Sequence, residues 1–320
     1  MSLSSFYERM LFHPKWYHTP LIIVLLPLSL LYGSWMFVRR VAIQKKEFGL
    51  PLVSVGNLIV GGSGKTPFTI ALASRYEQVA VISRGYGRQS KGLVEVSRNG
   101  KILVSVEESG DEAMLMAQAL PKASVIVSEN RSQAIILAKT QGARVIFLDD
   151  GFNRVEIEKF EILLEPAQIS NYLPFPAGPF REFFWMKRVA NLVLKEEREF
   201  EREVSYENLK ERMLLVTAIS DPLRLEHYLP SGVIAKIYLK DHAYFDEAVL
   251  AKEMSACGAQ SLLVTQKDLV KMKGFKLPIS QIKLKLKIKE ESLLKIESYI
   301  NDYFNRKRVS FPKGVYTDET

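Results

Sequence analysis

The sequence predicts an α/β protein: a core domain on a mainly parallel sheet, a smaller C-terminal α/β domain, and an N-terminal membrane-associated helix. Three observations predict it. Short apolar runs alternate with helical patterns from Leu52 onward. The run Leu52-Val53-Ser54-Val55 leads into Gly61-Gly62-Ser63-Gly64-Lys65-Thr66. An uncharged stretch, Leu21 to Val38, precedes both. Alternation of this kind buries a parallel sheet on both faces, and such sheets bind ligands at the carboxyl ends of their strands.

The N-terminal stretch, LIIVLLPLSLLYGSWMFV, lies at the lower edge of the about 17–25 residues that cross a bilayer. Pro27 and Gly33-Ser34 interrupt it. Trp16, Tyr17, Tyr32 and Trp35 suit a membrane–water boundary, and Arg39, Arg40, Lys45 and Lys46 favour a cytoplasmic position for the downstream chain. No small-x-small cleavage site comes after it, so a removed signal peptide is not expected. A spanning anchor, a helix in the interface and a buried core helix all remain open, the first two favoured by the lack of polar periodicity. The segment is taken as residues 1–47.

The core domain is taken as 48–195. Strands are expected at Leu52–Val55, Val79–Ile82, Ser124–Val127, Val145–Leu148 and Phe160–Leu164, with helices at Pro67–Tyr76, Asp111–Leu120 and Arg131–Thr140. Gly92–Val96 and Ile102–Val106 read as a hairpin across Asn99-Gly100. Residues 171–188 are irregular, and the charged run Lys195–Glu203 reads as a solvated helix or linker at a boundary. The smaller α/β domain, 196–320, places strands at Met213–Ala218, Val233–Leu239, Ser261–Val264 and Ile282–Leu286; the tail Phe311–Thr320 reads as loosely held.

Composition narrows the partners. Lys plus Arg number 44 and Asp plus Glu 36, a net charge of +8. Beside an apolar N-terminal segment, an anionic membrane surface is the simpler partner for that charge. No RNA-binding signature is present, so nucleic acid is not expected. Cys257 is the one cysteine of the sequence, which rules out an internal disulfide and suits a reducing compartment.

The chemistry starts at the glycine-rich loop. Glycines turn backbone N–H groups onto phosphate oxygens, Lys65 reaches the β- and γ-phosphates, and the Thr66 hydroxyl suits Mg²⁺. The full pattern wants glycine where Ile59 stands. This loop, between strand and helix, makes the core P-loop NTPase-like. Asp149-Asp150 closes an apolar strand, where such proteins place a magnesium-holding acid; a plain Asp-Asp-Gly turn is the competing reading. Ser83-Arg84-Gly85-Tyr86-Gly87-Arg88 is either a second anion cradle or a solvated basic turn. Asp111, in Gly110-Asp111-Glu112, is either an ordinary first-turn acid or the carboxylate that takes a proton from an attacking hydroxyl. Asp241-His242 is either structural or tunes a base. Thr265-Gln266-Lys267-Asp268 resembles the guanine-reading motif of GTPases, with Thr in place of Asn, so a membrane-associated GTPase switch or targeting protein is the alternative.

Taken together, these blocks resemble the tetraacyldisaccharide 4'-kinases, the lipid A 4'-kinases of Gram-negative envelope synthesis. The resemblance rests on Val55-Gly56-Asn57-Leu58, the loop through Pro67, Ser83–Gly87, Gly110-Asp111-Glu112, Asn130-Arg131, Asp149-Asp150-Gly151-Phe152, Pro176-Ala177-Gly178-Pro179-Phe180-Arg181-Glu182, Asp241-His242 and Thr265–Asp268. Asn153-Arg154 stand where the family usually has Gln-His, and Ala113 where many members have Pro. The resemblance implies an inner-membrane enzyme on the cytoplasmic face. It would move the γ-phosphoryl of ATP to the 4'-hydroxyl of an acylated glucosamine disaccharide 1-phosphate. It implies ATP and Mg²⁺ as cofactors, Gly61, Gly62, Ser63, Gly64, Lys65 and Thr66 around the nucleotide, and Thr66, Asp149 and Asp150 around the metal. It further implies Asp111 as base assisted by His242, Lys65 and Arg181 on phosphate or substrate, and two α/β domains with the site in the cleft between them. The chain is expected to be a monomer.

Overall fold

A computed structural model describes residues 3–61, 64–220 and 222–306. Helices α1 (Leu3–Phe12) and α2 (Thr19–Ala42) precede strand β1 (Leu52–Gly56) and helix α3 (Lys65–Ala73). Next come β2 (Val79–Ser83), β3 (Val94–Arg98), β4 (Lys101–Ile102), α4 (Val106–Ser109), α5 (Asp111–Ala119), β5 (Ser124–Val127), α6 (Arg131–Thr140), β6 (Val145–Asp149), β7 (Phe160–Glu165) and β8 (Leu192–Lys195). The remainder comprises β9 (Phe200–Glu207), β10 (Met213–Thr217), β11 (Val233–Tyr238), α7 (Glu247–Cys257), β12 (Ser261–Thr265), α8 (Gln266–Leu269), β13 (Ile279–Ile288) and α9 (Glu290–Arg306). The expected tail, Phe311–Thr320, lies outside the described residues.

These elements gather into two compact units. The first takes the chain up to Lys65, Arg144–Glu201 and the stretch from Ile288 through α9. The second takes Thr66–Ala143 and Arg202–Lys287.

In the first unit the strands run β6-β1-β7-β8, all parallel. β1 and β6 are buried along their whole length, which explains why both read as unbroken apolar runs rather than alternating ones. The register pairs Val55 with Asp149, so the chain leaving β1 toward the glycine loop emerges beside Asp149-Asp150. Helix α9 completes this unit: Leu293, Ile296, Ile300 and Phe304 are buried on one face, and the Tyr299 hydroxyl donates to the Leu52 carbonyl at 3.3 Å.

Helix α2 runs unbroken through Pro27 and Gly33, a rise of roughly 36 Å at 1.5 Å per residue. One face is fixed to the irregular segment 171–183. The Ser29 hydroxyl accepts from the Ala177 N–H at 2.8 Å. Gly33 has no side chain because the Phe183 ring occupies the space: a Cβ would meet it at 2.7 Å. The other face leaves Ile23, Val24, Leu28, Leu31, Trp35, Val38 and Val41 exposed. A core helix would bury these residues, so that reading is set aside.

In the second unit β4-β3-β5-β2 form one run of strands and β11-β10-β12-β13-β9 a five-stranded sheet. The chain turns at Asn99-Gly100 between antiparallel β3 and β4, but the expected second arm, Ile102–Val106, is cut to Lys101–Ile102, because Ser105 caps helix α4 at Val106. β10, β11, β12 and β13 pair in parallel, over an apolar layer of Leu214, Val216, Leu250, Met254, Leu262 and Val264. The charged run Lys195–Glu203 is a correction: it is neither helix nor linker but ends β8 and opens β9, with Phe200 fully buried. β9 is an edge strand, and charges along an outer edge discourage pairing with another chain.

Candidate active site

Each unit carries one cluster of the sequence-selected residues. In the first, Lys65 stands at the start of α3, and its Nζ donates to Asn57 Oδ1 at 3.1 Å and pairs with Asp150 Oδ1 at 3.6 Å. Arg181 Nη1 donates to both Asp150 oxygens, at 3.1 and 3.2 Å. Asp150 therefore carries two cations. It does so from a left-handed backbone, φ 52°, a conformation that costs a non-glycine residue on the order of 1 kcal/mol or more and recurs at functional sites.

Segment 174–182 is held against the chain leaving β1. Ile59 and Phe180 form an antiparallel bridge, Val60 N–H donates to Pro179 O at 2.8 Å, and Arg181 N–H donates to Leu58 O at 2.7 Å. The backbone thus fixes where Arg181 starts. Gly61 and Gly64 take left-handed φ of 93° and 77°, as a loop that turns its N–H groups inward requires. Gly62 and Ser63 lie outside the described residues. Thr66 is buried in the first turn of α3, and Asp149 is buried as the last residue of β6. Asn57 belongs to the Val55–Leu58 block, but the motif gives it no role of its own. Its place directly after β1, on the way into the loop, is the signal that marks it.

In the second unit Asp111 opens α5 and is 3% exposed. His242 Nδ1 lies 2.9 Å from each Asp111 oxygen, and His242 Nε2 lies 3.4 Å from Asp241 Oδ2. Lys271 Nζ and Lys267 Nζ stand 3.6 and 3.8 Å from Asp111 Oδ2. Burial pushes the Asp111 carboxyl up, but the His242 hydrogen bond and the charges of Lys267, His242 and Lys271 together hold it below its ordinary value. Asp111 is therefore a carboxylate at neutral pH. Burial pulls Lys267 down, and Glu112, Asp111 and Asp241 more than restore it, so it stays charged.

His242 is itself placed by unusual backbone, φ 62°. The loop after β2 makes room for it: a Cβ on Gly87 would meet the imidazole at 3.3 Å, and the Tyr86 ring packs 5.0 Å away. Ser83–Arg88 is thus a seat for His242. Arg88 donates to the Gly92 carbonyl and pairs with Glu129 at 2.6 Å, which commits that guanidinium to the loop itself.

Asp268 is fully buried. Its Oδ2 accepts from Thr217 Oγ1 at 2.6 Å and Thr265 Oγ1 at 2.7 Å, and its Oδ1 accepts from Ala218 N–H at 3.0 Å. A carboxylate used in this way ties α8 to β10 and has no face left for a guanine. The GTPase alternative loses its one residue-level support.

A glycine-rich loop that opens a helix after a central parallel strand, with its lysine held beside an acidic strand end, is the arrangement of the P-loop phosphotransferases. A family model described as tetraacyldisaccharide-1-P 4'-kinase matches residues 21–301. The chain belongs to that family. A tetraacyldisaccharide 4'-kinase of Helicobacter pylori (strain HPAG1) is 47% identical over 300 residues, covering 93% of this chain and 96% of that protein. One of Aliarcobacter butzleri (strain RM4018) is 45% identical over 305 residues, covering 92% and 97%. Among solved structures, the "apo" form of LpxK from Aquifex aeolicus in complex with ATP superimposes with a TM-score of 0.74 at 29% identity, covering 89% of this chain and 99% of that one.

Proposed function

We propose that the chain uses ATP and Mg²⁺ to phosphorylate the 4'-hydroxyl of a tetraacylated glucosamine disaccharide 1-phosphate at a membrane surface, with roles divided between the two clusters. The Asp111–His242 pair carries the reading. A nucleotide switch has no need of a buried, ionised carboxylate gripped by an imidazole. A kinase needs it to receive the proton of the attacking alcohol.

Lys65 contacts the transferring phosphoryl group, and Arg181 meets its charge or that of the substrate. As the hydroxyl oxygen bonds to the γ-phosphorus and ADP leaves, Asp111 takes the hydroxyl proton. His242 orients the carboxylate through its Nδ1 contact and keeps it ionised, ready to receive the proton. Thr66, Asp149 and Asp150 are hard oxygen donors of the kind that suits Mg²⁺, which usually takes one or two carboxylates and completes its shell with phosphate and water. When bound, the ion would neutralise charge on the β- and γ-phosphates.

Helix α2 supports a place in the interface rather than across the bilayer. Ser29 and Gly33 seat one face on segment 171–183, while the opposite face exposes Val24, Leu31, Trp35 and Val38. Lys45 and Lys46, exposed just beyond its end, suit the anionic cytoplasmic leaflet. The aromatic group Phe183, Phe184 and Trp185, in which Phe183 and Trp185 stack at 4.3 Å, extends the apolar surface beside the helix. The test is label transfer from γ-labelled ATP to tetraacyldisaccharide 1-phosphate in detergent, with Mg²⁺ and after chelation. Labelled lipid that vanishes on chelation supports the reading; label that leaves only as free phosphate overturns it.

A further inference from the structure

The exposed face of α2 explains membrane contact but leaves its last turn unexplained. Arg40 points into the first unit, its side chain 10% exposed. Its Nε and Nη2 donate to the two oxygens of Glu182 at 2.9 and 2.7 Å. Nη2 also donates to the Phe152 carbonyl at 3.2 Å, and the guanidinium lies 4.2 Å over the Phe152 ring. Beside it, Arg39 donates to the Asn153 carbonyl at 3.2 Å. Both arginines sit where the helix dipole favours cations.

The two groups that Arg40 grips flank the phosphate-handling cluster. Glu182 is the residue after Arg181, and Phe152 comes two residues after Asp150. Phe152 is in turn wedged against β1, because a Cβ on Gly56 would meet its Cβ at 2.5 Å, and Gly56 precedes the Asn57 that holds Lys65. Glu182 is 1% exposed. A carboxylate at that depth requires a cation, and two parallel N–H···O bonds fix direction as well as charge. A surface cation that merely touches lipid headgroups needs none of this.

We infer that Arg40 is a positioning residue for phosphoryl transfer, coupling the membrane-facing helix to the Asp150–Arg181–Lys65 cluster. The inference rests on the kinase reading. Loosening Arg40 lets the Phe152 turn and segment 181–182 drift, and small misplacements in such clusters cost large factors in rate. The effect falls on turnover, since nucleotide and lipid still bind.

The experiment compares wild type, Arg40→Lys and the double variant Arg40→Met/Glu182→Leu. The lysine keeps the charge and loses the fork. The double variant leaves no buried carboxylate unpaired and so preserves the fold if Arg40→Lys unfolds. For each, kcat and the KM values for ATP and lipid are measured, together with the melting temperature and sedimentation with phosphatidylethanolamine–phosphatidylglycerol vesicles. The expected result is a fall in kcat of about 10- to 100-fold with both KM values within about twofold. Vesicle binding and melting of the double variant should match wild type. Wild-type kcat in a folded double variant, or a loss confined to vesicle binding, overturns the inference while leaving the kinase reading in place. Absence of lipid phosphorylation by wild type overturns the kinase reading instead.

Discussion

Asp111→Asn tests the base at its own atom. The change removes the charge and the proton-accepting capacity while keeping the shape. General-base catalysis supplies about 10²–10⁴ in rate, so at 1.36 kcal/mol per tenfold the barrier should rise by about 2.7–5.4 kcal/mol. The fold should tolerate it. Lys271 loses one carboxylate but keeps Asp268 at 3.6 Å and the Ala243 carbonyl at 3.0 Å, and Lys267 keeps Glu112 and Asp241. The destabilisation should therefore be about 1–3 kcal/mol. The assay is steady-state label transfer with kcat and KM for ATP resolved, beside a thermal melt. A fall in kcat of at least a hundredfold with KM for ATP little changed is expected. His242→Ala should lower kcat by a smaller factor, and the double variant should lose less than the sum, because both act on one proton. A variant that keeps wild-type kcat, or that changes only KM, would refute the assignment.

Because Asp111 is held below its ordinary value, its ion pairs stabilise the fold above the unfolded value of about 3.9 and are lost as pH falls through the lowered folded value; Lys267→Met should move that acid transition upward in a pH-melting series. Asp268→Ala should lower stability by about 3–5 kcal/mol, as removal of one member of a buried charged network does, without shifting the ATP-to-GTP preference. Lys159 and Glu161 form a buried pair at 2.8 Å, in which burial pulls the lysine down and pushes the glutamate up. Lys159→Met alone should cost about 3–5 kcal/mol, whereas Lys159→Met/Glu161→Leu should be neutral or stabilising, read by denaturant melts. Val24→Asp and Leu31→Asp remove apolar groups that are 74% and 69% exposed; each should weaken vesicle binding about tenfold or more, as loss of about 1.5–3 kcal/mol of burial implies, with unchanged melting.

Strands whose burial made them unbroken apolar runs were legible in the sequence: β1, β5, β6, β10 and β12 all fall where their Val, Ile and Leu residues cluster. So was the loop, because Gly-Lys-Thr between strand and helix has few other uses. β9 was hidden. It places only Phe200 fully inside, and an edge strand with charged residues on its open side has the composition of a linker. Helix α9 carries its signal in Leu293, Ile296, Ile300 and Phe304, but the abundant Glu and Lys among them dilute it, and no element is expected there. The pairing of Asp111 with His242 spans 131 positions, a distance no local pattern encodes. Likewise Arg40 reads as one of four boundary cations until its partners, Glu182 and the Phe152 carbonyl, are seen.

The position of the phosphate in the product decides most directly whether the two clusters make a lipid 4'-kinase. Wild type and Lys65→Ala are incubated with γ-labelled ATP, Mg²⁺ and tetraacyldisaccharide 1-phosphate, and the lipid is analysed by mass spectrometry and phosphorus NMR. Wild type should give a bis-phosphorylated lipid with the new phosphate on the 4' oxygen. Lys65→Ala should give at least a hundredfold less of it, about 2.7 kcal/mol or more of lost transition-state stabilisation. A product phosphorylated elsewhere, or equal product from Lys65→Ala, would contradict the assignment.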